Sequence, residues 1–212
     1  MLSLFANLGF RWKIALPILL LAFLLVLMGG LGMRGINQVT DSSSKLAGRY
    51  LPAISLLLNA DRDLYQAFVA ERSLLDAAAG DYVSNLKAAH AENLQQAYER
   101  VHKYAAMQPG DEALQLVAQF DRGFERWKNT SQQVLQLAGS DAVAASKLSF
   151  GDSESQFESM REAIDKLGDL EDQAASAEGT AAVAMGERLG WEQGLIVGAG
   201  LPALFAVGMR AY

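Results

Sequence analysis

Residues Ile14 to Met33 read IALPILLLAFLLVLMGGLGM and carry no ionisable side chain. As an α-helix rising about 1.5 Å per residue, such a run spans roughly 30 Å, the thickness of a bilayer's hydrocarbon core. A cleavable secretory signal has a shorter apolar core, about 7 to 15 residues, and ends in an alanine-type cleavage pattern. Here the run ends in Gly29, Gly30, Gly32 and Met33. The reading is therefore an uncleaved transmembrane helix at 14–33, preceded by a cytoplasmic segment, 1–13, that holds Arg11 and Lys13.

A second apolar stretch occupies 191–209. Gly194 to Met209 alone reaches only about 24 Å as helix, but Leu189, Gly190 and Trp191 extend it into the interface, where tryptophan and tyrosine concentrate. It is read as a second transmembrane helix, with 210–212 as a cytoplasmic end. Two spans put both termini on one side and the long middle, 34–190, on the other. Flanking bases do not set the orientation, since Arg11 and Lys13 stand against Arg34, Lys45 and Arg49, and long translocated domains largely escape that rule. Ala182, Gly186, Gly190, Gly194 and Gly198 recur every four residues. This small-residue ridge predicts close helix packing, with sliding or rotation against the first span.

The charges are segregated. All 24 acidic residues lie between Asp41 and Glu192, and Gly35–Glu192 holds 14 bases against them, a formal charge of −10. An acidic middle excludes nucleic acid as a partner, because phosphate binding needs a basic face. The chain has no cysteine, which removes disulfides, thiolate metal sites and thiol nucleophiles together. His90 and His102 are too far apart for the i, i+4 pair of a helical metal site, and Ser42, Ser43 and Ser44 have no neighbouring histidine base. The chain is expected to be no enzyme and to hold no metal or cofactor.

The middle reads as an all-α, antiparallel up-down four-helix bundle. The first bundle helix carries Tyr50, Ile54, Leu57, Leu64, Phe68 and Leu75 in alternating threes and fours, with Asp61 and Glu71 in the remaining seam positions. Pro52 predicts a kink or break, and Ala79-Gly80-Asp81 a stop. The second helix, about 82–107, repeats Val83, Leu86, His90, Leu94, Ala97, Val101 and Tyr104, and ends at Gln108-Pro109-Gly110-Asp111. The third, about 112–138, repeats Val117, Phe120, Phe124, Trp127, Ser131, Val134 and Ala138. A short helical piece at 142–150 leads to Gly151-Asp152-Ser153, after which a fourth helix shows Phe157, Met160, Ile164 and Leu167 and runs into the second span. The Gly80 turn and the stretch from Gly139 to Gly151 are placed at the tip far from the membrane, and the Pro109-Gly110 turn close to it. Glu158, Glu162, Asp165, Asp169 and Asp172, with Arg161 and Lys166, form a solvated face.

A second stripe lies beside the first helix's seam: Leu51, Ser55, Leu58, Arg62, Tyr65, Val69 and Arg72. Two adjacent contact stripes let one helix serve a bundle core and a second copy, which points to a homodimer built on this helix. Arg62 and Arg72 would then offer guanidinium donors to a carboxylate ligand, with Tyr65 for stacking or hydrogen bonding. The competing reading pairs Arg62 with Asp61 or Asp63, and Arg72 with Asp76, as ordinary ion pairs.

The order span, bundle, span, together with Leu51-Pro52, Asn59-Ala60-Asp61-Arg62-Asp63-Leu64-Tyr65-Gln66-Ala67, Asp141 through Ala145, Leu148-Ser149, Gly151 and Phe157, resembles the sensory end of bacterial methyl-accepting chemotaxis receptors. The resemblance covers essentially all of the chain. It implies a homodimer in the inner membrane of a Gram-negative bacterium, a periplasmic bundle, and amino acids, organic acids or aromatic acids as ligands. Aspartate-sensing members carry three arginines on the first helix, whereas only Arg62 and Arg72 occur here, so aspartate recognition is not carried over. The cytoplasmic relay, methylation helices and kinase-binding hairpin of a complete receptor do not occur within these 212 residues. Contact with chemotaxis signalling proteins would pass through that missing C-terminal module. Sensor kinases and membrane-bound nucleotide cyclases carry similar inputs, and a ligand-free interaction or dimerisation module remains the alternative.

Overall fold

A computed structural model of the chain describes residues 9–77, 80–107 and 109–209, and its regular structure is entirely helical. The helices are α1 (Phe10–Lys45), α2 (Leu51–Leu74), α3 (Asp81–Ala105), α4 (Asp111–Leu137), α5 (Ala142–Leu148) and α6 (Glu154–Met209). Two π turns, Leu46–Tyr50 and Ser149–Ser153, join α1 to α2 and α5 to α6 without a break. The outermost parts of the expected cytoplasmic ends, 1–8 and 210–212, lie outside the described residues, as do Ala79 and Gln108 of the expected turns. Leu46–Ser176 forms one compact unit, and the chain flanking it on both sides forms another.

The first unit is the four-helix bundle. One cluster of buried side chains draws on all four helices, with Leu57 and Leu64 from α2, Leu94 and Val101 from α3, Phe120 and Trp127 from α4, and Phe157 and Met160 from α6. The seams of α3, α4 and α6 are those the spacing predicts. That of α2 is displaced: Leu57, Leu64 and Glu71 are buried as expected, but Ala53, Ala60, Ala67 and Leu74 take the alternate positions. Ile54, Asp61, Phe68 and Leu75 are only half-buried. Alanines in the seam let neighbouring helix axes approach, and the larger side chains then border the contact. On α4, a Cβ added at Gly123 would stand 3.1 Å from Met160 Cβ and 3.2 Å from its Cα, so α4 and α6 approach closely there.

The turn after α2 and the turn after α4 share one end of the bundle, where Leu74, Val83, Leu135 and Gly139 line a common groove. Toward the other end, Tyr104 Oη donates to Glu171 Oε1 at 2.8 Å. The helices therefore alternate in direction. Three local expectations need correction. α2 stops at Leu74 rather than near Gly80, and Gly80, at φ 127°, instead precedes α3 in a conformation that favours glycine. Pro52 causes no break: it sits in the first turn of α2, directly after the π turn, whose wider winding accommodates the missing N–H. Gly151-Asp152-Ser153 is not a terminator either. The final helical stretch begins at Ala142, where Asp141 Oδ1 accepts from the Ala144 N–H at 3.0 Å, and passes Gly151 within the π turn.

In the second unit α1 and the C-terminal part of α6 run antiparallel. Ser42 Oγ donates to Glu178 Oε1 at 2.8 Å. A Cβ on Gly35 would stand 2.9 Å from Leu189 Cδ1, and one on Gly200 2.8 Å from Leu24 Cδ1. Leu24, central in 14–33, thus faces Gly200, central in 191–209, so the two apolar runs lie side by side in register. The small-residue ridge does not make this contact: Gly186, Gly190, Gly194 and Gly198 are exposed, with nothing within 4 Å of an added Cβ. Four-residue spacing placed them on one face of α6, and α1 packs on a different one. Among the described residues, one helix is long and apolar enough to cross a membrane, the one that runs on from Ile14.

His90 is buried within the bundle, its Nε2 2.7 Å from Ser131 Oγ and its ring beside Trp127. Burial lowers its pKa from 6.5 to about 4. The unfolded chain therefore takes up the proton first. The stability that neutral His90 contributes is present above about pH 6.5 and is lost as pH falls toward 4, an effect of about 3 kcal/mol. His90→Gln, which keeps a hydrogen bond to Ser131, is predicted to flatten this part of the pH dependence in urea unfolding between pH 7 and 4.5. An unchanged slope would contradict the assignment.

Candidate functional site

The three residues expected at the ligand site all lie on α2, but within one chain they do not converge. Arg62 is exposed, and its Nε and Nη2 donate to Asp63 Oδ1 at 3.1 and 2.7 Å. Asp63 is fully buried and also accepts from Arg100 Nε of α3 at 2.6 Å. Two guanidiniums thus clasp one interior carboxylate, which stabilises a charge that would otherwise be costly to bury. Of the two partners that the sequence offered Arg62, Asp63 is the one used.

Tyr65 leans toward α6. Its ring meets Phe157 edge-on at 5.2 Å, and the Arg161 guanidinium lies 4.2 Å above it. Arg161 reaches across from α6 to Asp61 through two bonds, 2.6 and 3.2 Å. The solvated acidic face of α6 therefore contributes a cation to the α2–α6 contact, a role its spacing did not disclose. Glu162 keeps the expected local pair with Lys166 at 2.7 Å.

Arg72 turns toward the second π turn rather than toward Asp76. Its Nη2 donates to the Ser149 carbonyl at 3.0 Å and pairs with Glu154 at 3.2 Å. The guanidinium lies 3.7 Å from the Phe150 ring centre and 4.7 Å from that of Phe68. Its Nε is buried and has no hydrogen-bond partner among the described residues. Beside it, Glu71 is fully buried and accepts from Ser149 Oγ at 2.5 Å and Ser153 Oγ at 2.9 Å. Ser153 Oγ also accepts from Trp127 Nε1 at 3.1 Å. Adjacent residues of α2 thus hold both the backbone and the hydroxyls of the π turn.

A family model described as a four-helix-bundle sensory module for signal transduction, that of methyl-accepting chemotaxis proteins, matches residues 7–185. The chain belongs to this family. Comparison with curated proteins found no match.

In this sensory module the residues that sequence reasoning passed over are Glu71 with Ser149 and Ser153, Asp63 with Arg100, and Arg161 with Asp61. A signal for the first set existed. An acid in a seam between Leu64 and Leu74 demands donors, and serines four residues apart on another helix supply them. No group of histidine, aspartate and glutamate suited to a metal ion occurs among the described residues. Outside the contacts above, α2 leaves a stripe uncovered: Leu51, Leu58 and Val69 are exposed by 62, 67 and 58%.

Ser149→Ala removes one of the two donors to a carboxylate that has no basic partner. It is predicted to destabilise the bundle by about 1–3 kcal/mol, while the exposed Ser155→Ala changes it little. Equal chemical-denaturation midpoints for the two variants would contradict the role given to Glu71.

Proposed function

We propose that the chain is the input module of a transmembrane chemoreceptor, in which a small extracytoplasmic ligand biases the position of α6 and the displacement passes across the inner membrane. The observation that carries this reading is the course of α6. This single 56-residue helix begins at the π turn held by Glu71 and Arg72 and ends in the C-terminal apolar run. The in-register pairing of 14–33 with 191–209 supports a second span, with both chain ends on one side of the membrane, which in this reading is the cytoplasm.

The ligand is a carboxylate-bearing metabolite that meets Arg62, Tyr65 and Arg72 at the face where two copies associate through the exposed stripe of α2. No single chain gathers these residues, which is why the homodimer is part of the proposal. Arg72 is the principal donor. Its Glu154 partner is exposed and can yield to an incoming carboxylate, and Phe150 offers an aromatic wall. A π turn holds one residue more than an α turn. Tightening it would move the following helix by about 1.5 Å and rotate it by roughly 100°. The ligand biases these positions only through its different affinities for them. The output in this reading is chemotaxis signalling, with a sensor kinase or a nucleotide cyclase as the alternative.

The pairing of Arg62 with Asp63 favours a second reading, in which the bundle binds no small molecule and the stripe serves dimerisation or a periplasmic protein. A thermal-shift screen of the detergent-purified chain with a metabolite panel separates the two. A carboxylate that raises the melting temperature with concentration, and loses that effect in Arg72→Ala, is the expected result. A silent panel together with a stoichiometric co-purifying protein would overturn the first reading in favour of the second.

A further inference from the structure

Between α1 and α6, within the flanking unit, lies a groove of about 360 Å3 whose walls include Leu31, Arg34 and Gln38 of one helix and Arg188, Leu189 and Glu192 of the other. Among the described residues of this unit the ion pairs are Lys45–Asp41, Lys45–Glu178 and Arg188–Glu192, and Arg34 belongs to none of them. Arg188 uses only Nε on Glu192 Oε1, at 2.9 Å, and its terminal nitrogens have no partner among the described residues. Two guanidiniums thus face one carboxylate, and the groove keeps an excess positive charge above the apolar side chains of Leu31 and Leu189.

The groove's level is as telling as its charge. Arg34 is the first ionisable residue after the run Ile14–Met33, and Glu192, near the start of 191–209, is the last acid before the uncharged stretch Gln193–Met209. Trp191, 76% exposed, stands at the same boundary, as tryptophan does at bilayer interfaces. On the membrane placement proposed above, on which this inference rests, the groove opens in the plane of the lipid phosphates.

We propose that this groove binds the headgroup of an anionic phospholipid. Arg34 and Arg188 clamp the phosphodiester through charge-assisted hydrogen bonds, and Leu31 and Leu189 cover the first methylenes of the lipid. The net positive groove disfavours zwitterionic headgroups, whose ammonium meets the same arginines. Gln38 supplies an amide at the rim for a headgroup hydroxyl. Lipid occupancy would then join α1 to α6 at the point where α6 leaves the bilayer.

The test is native mass spectrometry of the full chain, recovered from nanodiscs of phosphatidylcholine with graded phosphatidylglycerol. Wild type is expected to retain phosphatidylglycerol selectively. Arg34→Ala or Arg188→Ala should each weaken retention roughly fivefold, and the double variant about 25-fold, while Lys45→Ala changes nothing. Soluble glycerol phosphate in excess should not displace the lipid; if it does, the groove is a site for free phosphate and the proposal falls. Equal retention by wild type and the double variant, with helicity unchanged by circular dichroism, also overturns it, as does occupation of the groove by a co-purifying protein. A carbonate wash distinguishes the two levels. A chain released from membranes contradicts the membrane placement itself, whereas a chain that stays integral but shows no arginine-dependent lipid contradicts the lipid site alone.

Discussion

The pairing of two apolar helical runs, Leu24 against Gly200, continued just beyond them by Gly35 against Leu189, constrains more of this molecule than any other contact. On the membrane placement proposed above, each run has to stay helical throughout, because a backbone in hydrocarbon must satisfy its own N–H and C=O groups. That requirement extends beyond the runs themselves. The chain is helical without a break from Phe10 to Leu74 and again from Ala142 to Met209. Where an irregularity occurs it takes the form of a π turn, which alters winding while keeping the chain hydrogen-bonded. The two middle helices, α3 and α4, have no such duty and end in ordinary turns.

Within the bundle, carboxylates rather than apolar residues fix where the helices lie along one another. Asp63 is held by Arg62 and Arg100, and Glu71 by Ser149 and Ser153. Glu171 accepts from Tyr104, whose pKa is raised by burial and then by this bond. Apolar seams of alternating threes and fours allow a helix to slip by a turn at modest cost, whereas a buried carboxylate parted from its donors loses the groups that offset its desolvation. These acids therefore make register definite. Glu71 does so at the π turn, the place where α6 acquires its position.

The seams of α3, α4 and α6 were legible because large apolar side chains occupy them without competition. On α2 two overlapping patterns existed, one through Ile54 and Phe68 and one through Ala53, Ala60 and Ala67; counting hydrophobicity favours the bulkier set, whereas close approach of helices favours the smaller. The π turns carry no residue signature. Gly151-Asp152-Ser153 has the composition of a loop, and only the donors that Glu71 requires reveal that Ser149 and Ser153 are held in a helix. The candidate site was legible to the same extent. Arg62 and Arg72 stood out as bases on α2, and a neighbour in sequence proved correct for Arg62. The partners of Arg72 come from the far end of the bundle's chain order, where local spacing has no reach. The glycines of α6 show the complementary limit: periodicity says that they share a face, and only packing says which neighbour that face meets.

The account's central claim is that the chain crosses the membrane at 14–33 and again at 191–209, with the bundle on the opposite side from both ends. Paired alkaline phosphatase and fluorescent-protein reporters, fused before Met1 and after Tyr212 and inserted in the turn at Gly139, test this most directly. The account predicts fluorescence without phosphatase activity at both ends and phosphatase activity at the turn. Phosphatase activity at one end and fluorescence at the other would mean an odd number of crossings and would contradict it.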